Sequence, residues 1–258
     1  MIVFVTSKRN SVGHLMPFIA LAEKAEEQGF DTAFYKPRDE YRSFLDGRMT
    51  VDTIDDSDQV IADVCARDRI RDWSKAILVK TDIPHGGRRE ELWCTCPLEF
   101  AGEEVEGVSY LPLMVRHCDP DDFGGVFATT GTWNSKSADD IVRVGKEAAE
   151  YLGVEYRESD GAADSLPSLA GAKLVVCHGG LNTIKECIYH GVPFIVVPDE
   201  FDRPYNASQI NRLGIGSVWT SGGDIESVDS ALSSDTVSRL LELRKELLDA
   251  ACGWRIEI

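Results

Sequence analysis

The chain has 258 residues, 43% of them hydrophobic, and a formal net charge of −17. That length suits one large domain or two of roughly 100–150 residues each, and apolar runs no longer than a strand leave no transmembrane helix to expect. The charge argues against a protein that grips nucleic acid by its backbone, because no basic footprint is visible beyond Gly86–Arg89, which acid follows at once.

Residues 1–6 (MIVFVT) are an apolar, β-rich run. The apolar residues come first and the charges after, the reverse of a secretory leader, so no leader is expected. In the stretch that follows, Phe18, Leu21, Ala22 and Ala25 recur at helical spacing until Gly29 stops them. DTAFYKP then reads as a second strand. This β-α-β unit is the opening of a doubly wound sheet. Val51–Ile54 is a weak third strand, residues 58–72 look helical and charged, and residues 76–82 (AILVKTD) read as a fourth strand ending on Asp82. Residues 83–107 are rich in Gly, Pro and Glu and resist assignment. VSYLPLMV at 108–115 is a further strand candidate.

The acidic, Gly- and Pro-bearing stretch 117–125 (HCDPDDFGG) is the best linker, after which the pattern restarts. Strands are expected at 125–131, 154–158, 173–177, 192–198 and 216–219. Helices are expected at 138–152, 164–172, 182–190, 205–213 and 234–251. The fold expected is therefore α/β with two Rossmann-like, doubly wound domains, 1–117 and 118–258. Seven scattered cysteines in a chain of this size point to a reducing cytoplasm rather than a disulfide framework. The acidic balance fits a high-salt host as well as an ordinary acidic enzyme.

The segment HGGLNTIKE (178–186) raises a chemical question. Gly179 and Gly180 remove side chains where a backbone can approach a ligand closely. Asn182 and Thr183 stand at a helix start, where free N–H groups and the helix dipole favour an anion. His178 ends a strand at its carboxyl edge, where open α/β sheets bind ligands. Glu186 lies one turn beyond Thr183 and suits a ribose diol. By themselves these residues fit equally a tight, capped turn with nothing bound.

The longer stretch 178–216 resembles the donor-binding signature of the nucleotide-sugar-dependent glycosyltransferases with the GT-B fold, the UDP-glycosyltransferase family. His178, Gly179, Gly180, Asn182, Thr183, Glu186, Gly191, Val192, Pro193, Pro198, Asp202, Asn206 and Ala207 follow the family pattern in order and spacing. The resemblance implies two domains facing a cleft. It implies His178, Asn182 and Thr183 on the diphosphate, Glu186 on the ribose and Asp202 on sugar hydroxyls. Arg203 stands where the family has glutamine; it suits a phosphate or charged sugar, or is a surface residue paired with Glu200. Gly131 and Thr132, in GTWNS, match the family's phosphate-facing loop.

Gly13–Pro17 (GHLMP) resembles the family's Gly-His-x-x-Pro. The resemblance implies His14 as general base on an acceptor hydroxyl in an inverting transfer, with Asp82 as the carboxylate that orients it. His14 as a helix-capping or substrate-binding residue stays open. The donor implied is a nucleotide diphosphate sugar, UDP-sugar first, although no aromatic for stacking a uracil is evident. No cofactor or metal is called for, since the helix dipole and His178 can stabilise the leaving diphosphate.

Typical members are longer, so residues 83–107 would serve the acceptor in brief. Two other readings therefore stay open: a GT-B nucleotide-sugar hydrolase, and the donor-binding subunit of a split transferase. A homo-oligomer or a partner subunit is compatible with either. Trp93–Cys96 reads as core rather than a metal site, and His85, His117 and His190 are isolated.

Overall fold

The computed structural model describes residues 1–6, 12–69, 76–80, 92–102, 104–131, 136–159, 166–198, 203–221 and 223–256. They form two compact units, Met1–His117 with Ala250–Ile258, and Cys118–Asp249.

The first unit holds a seven-stranded sheet built from β1 (Ile2–Val5), β2 (Thr32–Tyr35), β3 (Thr50–Val51), β4 (Gln59–Asp63), β5 (Ala76–Lys80), β6 (Leu92–Cys94) and β7 (Val108–Tyr110). All strands run parallel in the order β3-β2-β1-β4-β5-β6-β7. Between β1 and β2 the chain makes α1 (Val12–Glu27), and between β6 and β7 the one-turn α2 (Leu98–Ala101). Phe18, Leu21, Ala22 and Ala25 of α1 are fully buried and join Phe4 and Phe34 in one core, as the spacing predicts.

The expected helix over 58–72 is a strand followed by a 3-10 segment, Val64–Arg69. Val60, Ile61 and Ala62 are buried between β1 and β5. A central parallel strand is covered on both faces, so it reads as a short apolar run without alternation, which the charged residues around it disguise. Arg69 then closes the rim of the sheet, donating to the carbonyls of Thr6, Tyr35 (3.0 Å) and Lys36 (2.6 Å). β6 falls in the stretch that resisted assignment.

The expected boundary gave the whole C-terminus to the second domain. Residues 250–258 group with the first unit instead. Ile256 is buried in its core and Trp254 packs edge-on to Trp93, centroids 6.0 Å apart. Gln28 ties both down: its Nε2 donates to the Trp254 carbonyl and its Oε1 accepts from the Ile256 N–H.

The second unit holds a five-stranded parallel sheet of β8 (Val126–Thr129), β9 (Tyr156–Ser159), β10 (Leu174–Cys177), β11 (Phe194–Val196) and β12 (Ser217–Val218), in the order β12-β11-β10-β8-β9. Its helices are α3 (Ala138–Leu152), α4 (Leu166–Ala170), α5 (Leu181–His190), α6 (Arg203–Leu213), α7 (Asp224–Ala231) and α8 (Ser234–Ala251). All four residues of β8 and of β10 are buried. The short α7 was not expected from the sequence. α3 shows its fate in its composition: Ile141, Val144, Ala148 and Ala149 recur on one face and are buried, and Gly153 (φ 64°) ends the helix in the left-handed conformation.

Candidate active site

Each sheet reverses its strand order once. In the first, the chain starts at β1, winds outward through β2 and β3, then returns to place β4 on the other side of β1. In the second, β9 lies on one side of β8 and β10 on the other. At such a switch point the loops leaving the two adjacent strands diverge, and a crevice opens at their carboxyl ends. The two groups of candidate residues lie at these two places.

In the first unit His14 is in the first turn of α1, after β1. Its Nδ1 lies 2.9 Å from Asp63 Oδ2, at the carboxyl end of β4. Asp63 is fully buried and the His14 side chain is 24% exposed. The second carboxylate oxygen, Oδ1, accepts the Cys65 N–H at 2.7 Å. A buried carboxylate on Nδ1 favours the tautomer with the proton on that nitrogen. Asp82, the carboxylate the resemblance implies, lies outside the described residues; the carboxylate they place against His14 is Asp63. The signal that could have found it is an acid closing the buried run Val60–Ala62, on the strand beside β1.

In the second unit β8 and β10 pair through Thr129 and Cys177. Gly131 and His178 lie just beyond, and the buried imidazole sits against two glycines. A methyl group on Gly131 would stand 2.5 Å from His178 Cε1, and one on Gly180 would stand 2.6 Å from Nε2. Gly131 (φ 74°) and Gly179 (φ 84°) are also left-handed. Both glycines flanking the ring are therefore required by space, and Gly131 by conformation as well.

α5 opens from this turn. Gly180 precedes its first residue with no side-chain hydrogen bond capping the helix, and its first turn carries no acid. The N–H groups of Leu181, Asn182 and Thr183 precede the first helical bond, from Ile184 N–H to the Gly180 carbonyl at 3.1 Å. Such a terminus favours an anion through aligned N–H groups and the positive end of the dipole. Asn182, Thr183 and Glu186 are all half-buried on this helix. Gly131, His178, Gly179, Gly180, Asn182 and Thr183 thus share one sheet edge. Thr132 and Asp202 lie outside the described residues, and Arg203 enters only as the first residue of α6.

Among the described residues no cluster of three or more His, Cys, Asp or Glu could hold a metal ion. No helix among them is long and apolar enough to cross a membrane.

The Glycosyltransferase family 28 C-terminal domain matches residues 143–234, which include the glycine turn and α5. UDP-glucuronosyltransferase 3A1 of Xenopus laevis is 48% identical over 46 residues, 18% of this chain and 9% of that protein. NDP-glycosyltransferase YjiC of Bacillus subtilis (strain 168) is 29% identical over 96 residues, 35% of this chain and 24% of that protein. The chain spans less than a quarter of the length of these relatives. The structure resembles that of spinosyn rhamnosyltransferase SpnG complexed with thymidine diphosphate, with a TM-score of 0.67, 14% identity and 98% of each chain covered. At that identity the likeness shows the fold.

Proposed function

We propose, from the premise that this chain is a UDP-glycosyltransferase-like protein with the GT-B fold, that it transfers a sugar from a nucleotide diphosphate sugar to an acceptor hydroxyl with inversion. The observation that carries this reading is the turn His178–Gly180 at the β8/β10 switch point, opening α5 without an acid in its first turn.

The diphosphate sits on the N–H groups of that turn, beside His178, Asn182 and Thr183. Glu186 accepts from the ribose hydroxyls, and Gly131 gives the phosphates room. Asp202 and Arg203 are assigned to the sugar. On the other side of the reaction, Nε2 of His14 takes the acceptor's hydroxyl proton while Asp63 holds the proton on Nδ1 and balances the imidazolium that forms. The acceptor oxygen forms a bond to the anomeric carbon as the bond from that carbon to the diphosphate breaks. The charge gathering on the leaving diphosphate is met by the amino end of α5. Residues 1–117 serve as the acceptor side and 118–249 as the donor side. The cytoplasm is the compartment assigned, supported by seven unbridged cysteines.

The test is calorimetric binding of UDP, dTDP, GDP and ADP, then of the matching nucleotide sugars with and without a mixed pool of small hydroxylated acceptors. Binding of one diphosphate, with sugar release only when acceptor is present, supports the transferase. Release into water alone makes the chain a hydrolase, and binding of none overturns the donor site.

Glu186→Ala should weaken binding of the preferred ribonucleoside diphosphate by about 1–3 kcal/mol, the scale of a charged hydrogen bond. Binding of the 2′-deoxy counterpart should fall by less. Equal affinities for wild type and variant would remove Glu186 from the ribose.

A further inference from the structure

Asn206 lies on α6, is completely buried, and donates from Nδ2 to the carbonyl of Gly179 at 2.9 Å. Its Oδ1 is also buried and accepts no hydrogen bond among the described residues. A carbonyl can only accept, so the amide atom facing Gly179 has to be the nitrogen. That one bond sets the side chain's orientation. The contact spans 27 residues of chain and ties the first turns of α6 to the end of β10.

The consequence lies in the peptide plane. The Gly179–Gly180 peptide is trans. Its carbonyl and its N–H therefore point in opposite directions in one rigid plane. Gly179 has no side chain to restrict its rotation and takes a φ of 84°. A glycine turn without an anchor would sample many orientations of that peptide. By holding the carbonyl from the α6 side, Asn206 aims the Gly180 N–H the other way, away from Asn206, at the start of α5. The N–H that a bound diphosphate would meet is oriented before the ligand arrives, so binding does not bear the cost of ordering it.

We infer that Asn206 is a positioning residue for the donor site, setting the Gly179–Gly180 peptide for the diphosphate without touching the ligand. The inference rests on the donor reading proposed above. It also makes α6, whose first residue is Arg203, mechanically continuous with the phosphate turn.

Two variants and two measurements test it. Asn206→Ala removes the donor. Asn206→Asp keeps the size but turns a carboxylate oxygen toward the Gly179 carbonyl. UDP and dTDP affinity should fall about 10- to 100-fold in the first, the order expected for a buried hydrogen bond to a ligand-binding loop, and further in the second. Donor KM should rise and kcat fall with it, since the same N–H meets the charge on the leaving diphosphate, while acceptor KM stays near wild type, a split that general loosening of the unit would not produce. Amide exchange in the unliganded protein should accelerate over residues 178–184 and not in β8 or α3. Unchanged nucleotide affinity in both variants overturns the positioning role. Unchanged exchange over 178–184 overturns the clamp whatever the protein binds. Failure of the unsubstituted chain to bind any nucleotide removes the donor reading, and with it the positioning role, while exchange still decides whether the clamp exists. Should Asn206→Ala fail to fold, the isosteric Asn206→Asp carries both measurements.

Discussion

Asp63→Asn should lower turnover on the order of 10³-fold while leaving nucleotide affinity unchanged. The reason is the fixed arrangement of its two oxygens. Oδ1 accepts from the Cys65 N–H at 2.7 Å, and that N–H needs an acceptor in the variant as well. The amide oxygen must stay there, which turns the amide nitrogen toward His14 Nδ1. An N–H facing Nδ1 forces the ring proton onto Nε2, the atom that has to be free to accept one. The imidazole keeps its place and loses its function. His14→Ala should fall by a similar factor of about 10²–10⁴, and the double variant should be no worse than the poorer single, because both remove the same proton acceptor. Turnover of Asp63→Asn within about tenfold of wild type, under saturating donor and acceptor, would show that the pair is structural. Loss of nucleotide binding in His14→Ala would place the histidine in the donor site instead.

Gly131→Ala should weaken diphosphate binding on the order of 10²-fold and leave the His14–Asp63 pair unaltered. The added methyl group would lie 2.5 Å from His178 Cε1, closer than carbon atoms approach. His178 cannot retreat freely, since it is buried at the end of a strand paired on both sides and Gly180 closes in on its other nitrogen. Rotation of the ring would drive it into the Gly180 turn. The left-handed φ of 74° adds about 1–2 kcal/mol for any residue with a Cβ. Gly223→Ala is the control, because its nearest atoms stand 3.5 Å from the added carbon. Calorimetric titration of UDP into both variants decides the matter: matching affinities would mean that the loop after β8 does not contact the donor.

Much of this molecule was legible before folding. The helix α1 declared itself through apolar residues at helical spacing, and the strands β1, β2, β8 and β10 through short apolar runs that a parallel sheet buries on both faces. Glycine pairs, the helix start after them and the histidine before them are local signals. They are written into the chain because a turn's chemistry lies within a few residues. β4 was not legible, since Val60–Ala62 is too short for periodicity to separate a buried strand from a helix. The helix expected there was wrong for that reason.

What local patterning determined, then, is the two-fold β-α rhythm, the chemistry of the turn at 178–183 and the presence of a histidine at the head of α1. What only the tertiary structure decided is which distant residues serve them. Asp63 reaches His14 because β4 pairs with β1 at the switch point, and a register between strands is set by packing across the sheet rather than by neighbours in sequence. Asn206 reaches Gly179 across 27 residues by the docking of α6. Residues 250–258 join the first unit because Trp254 and Ile256 find apolar partners there. Each of these depends on contacts whose free energy exists only once the whole core has closed, so no window of sequence contains it.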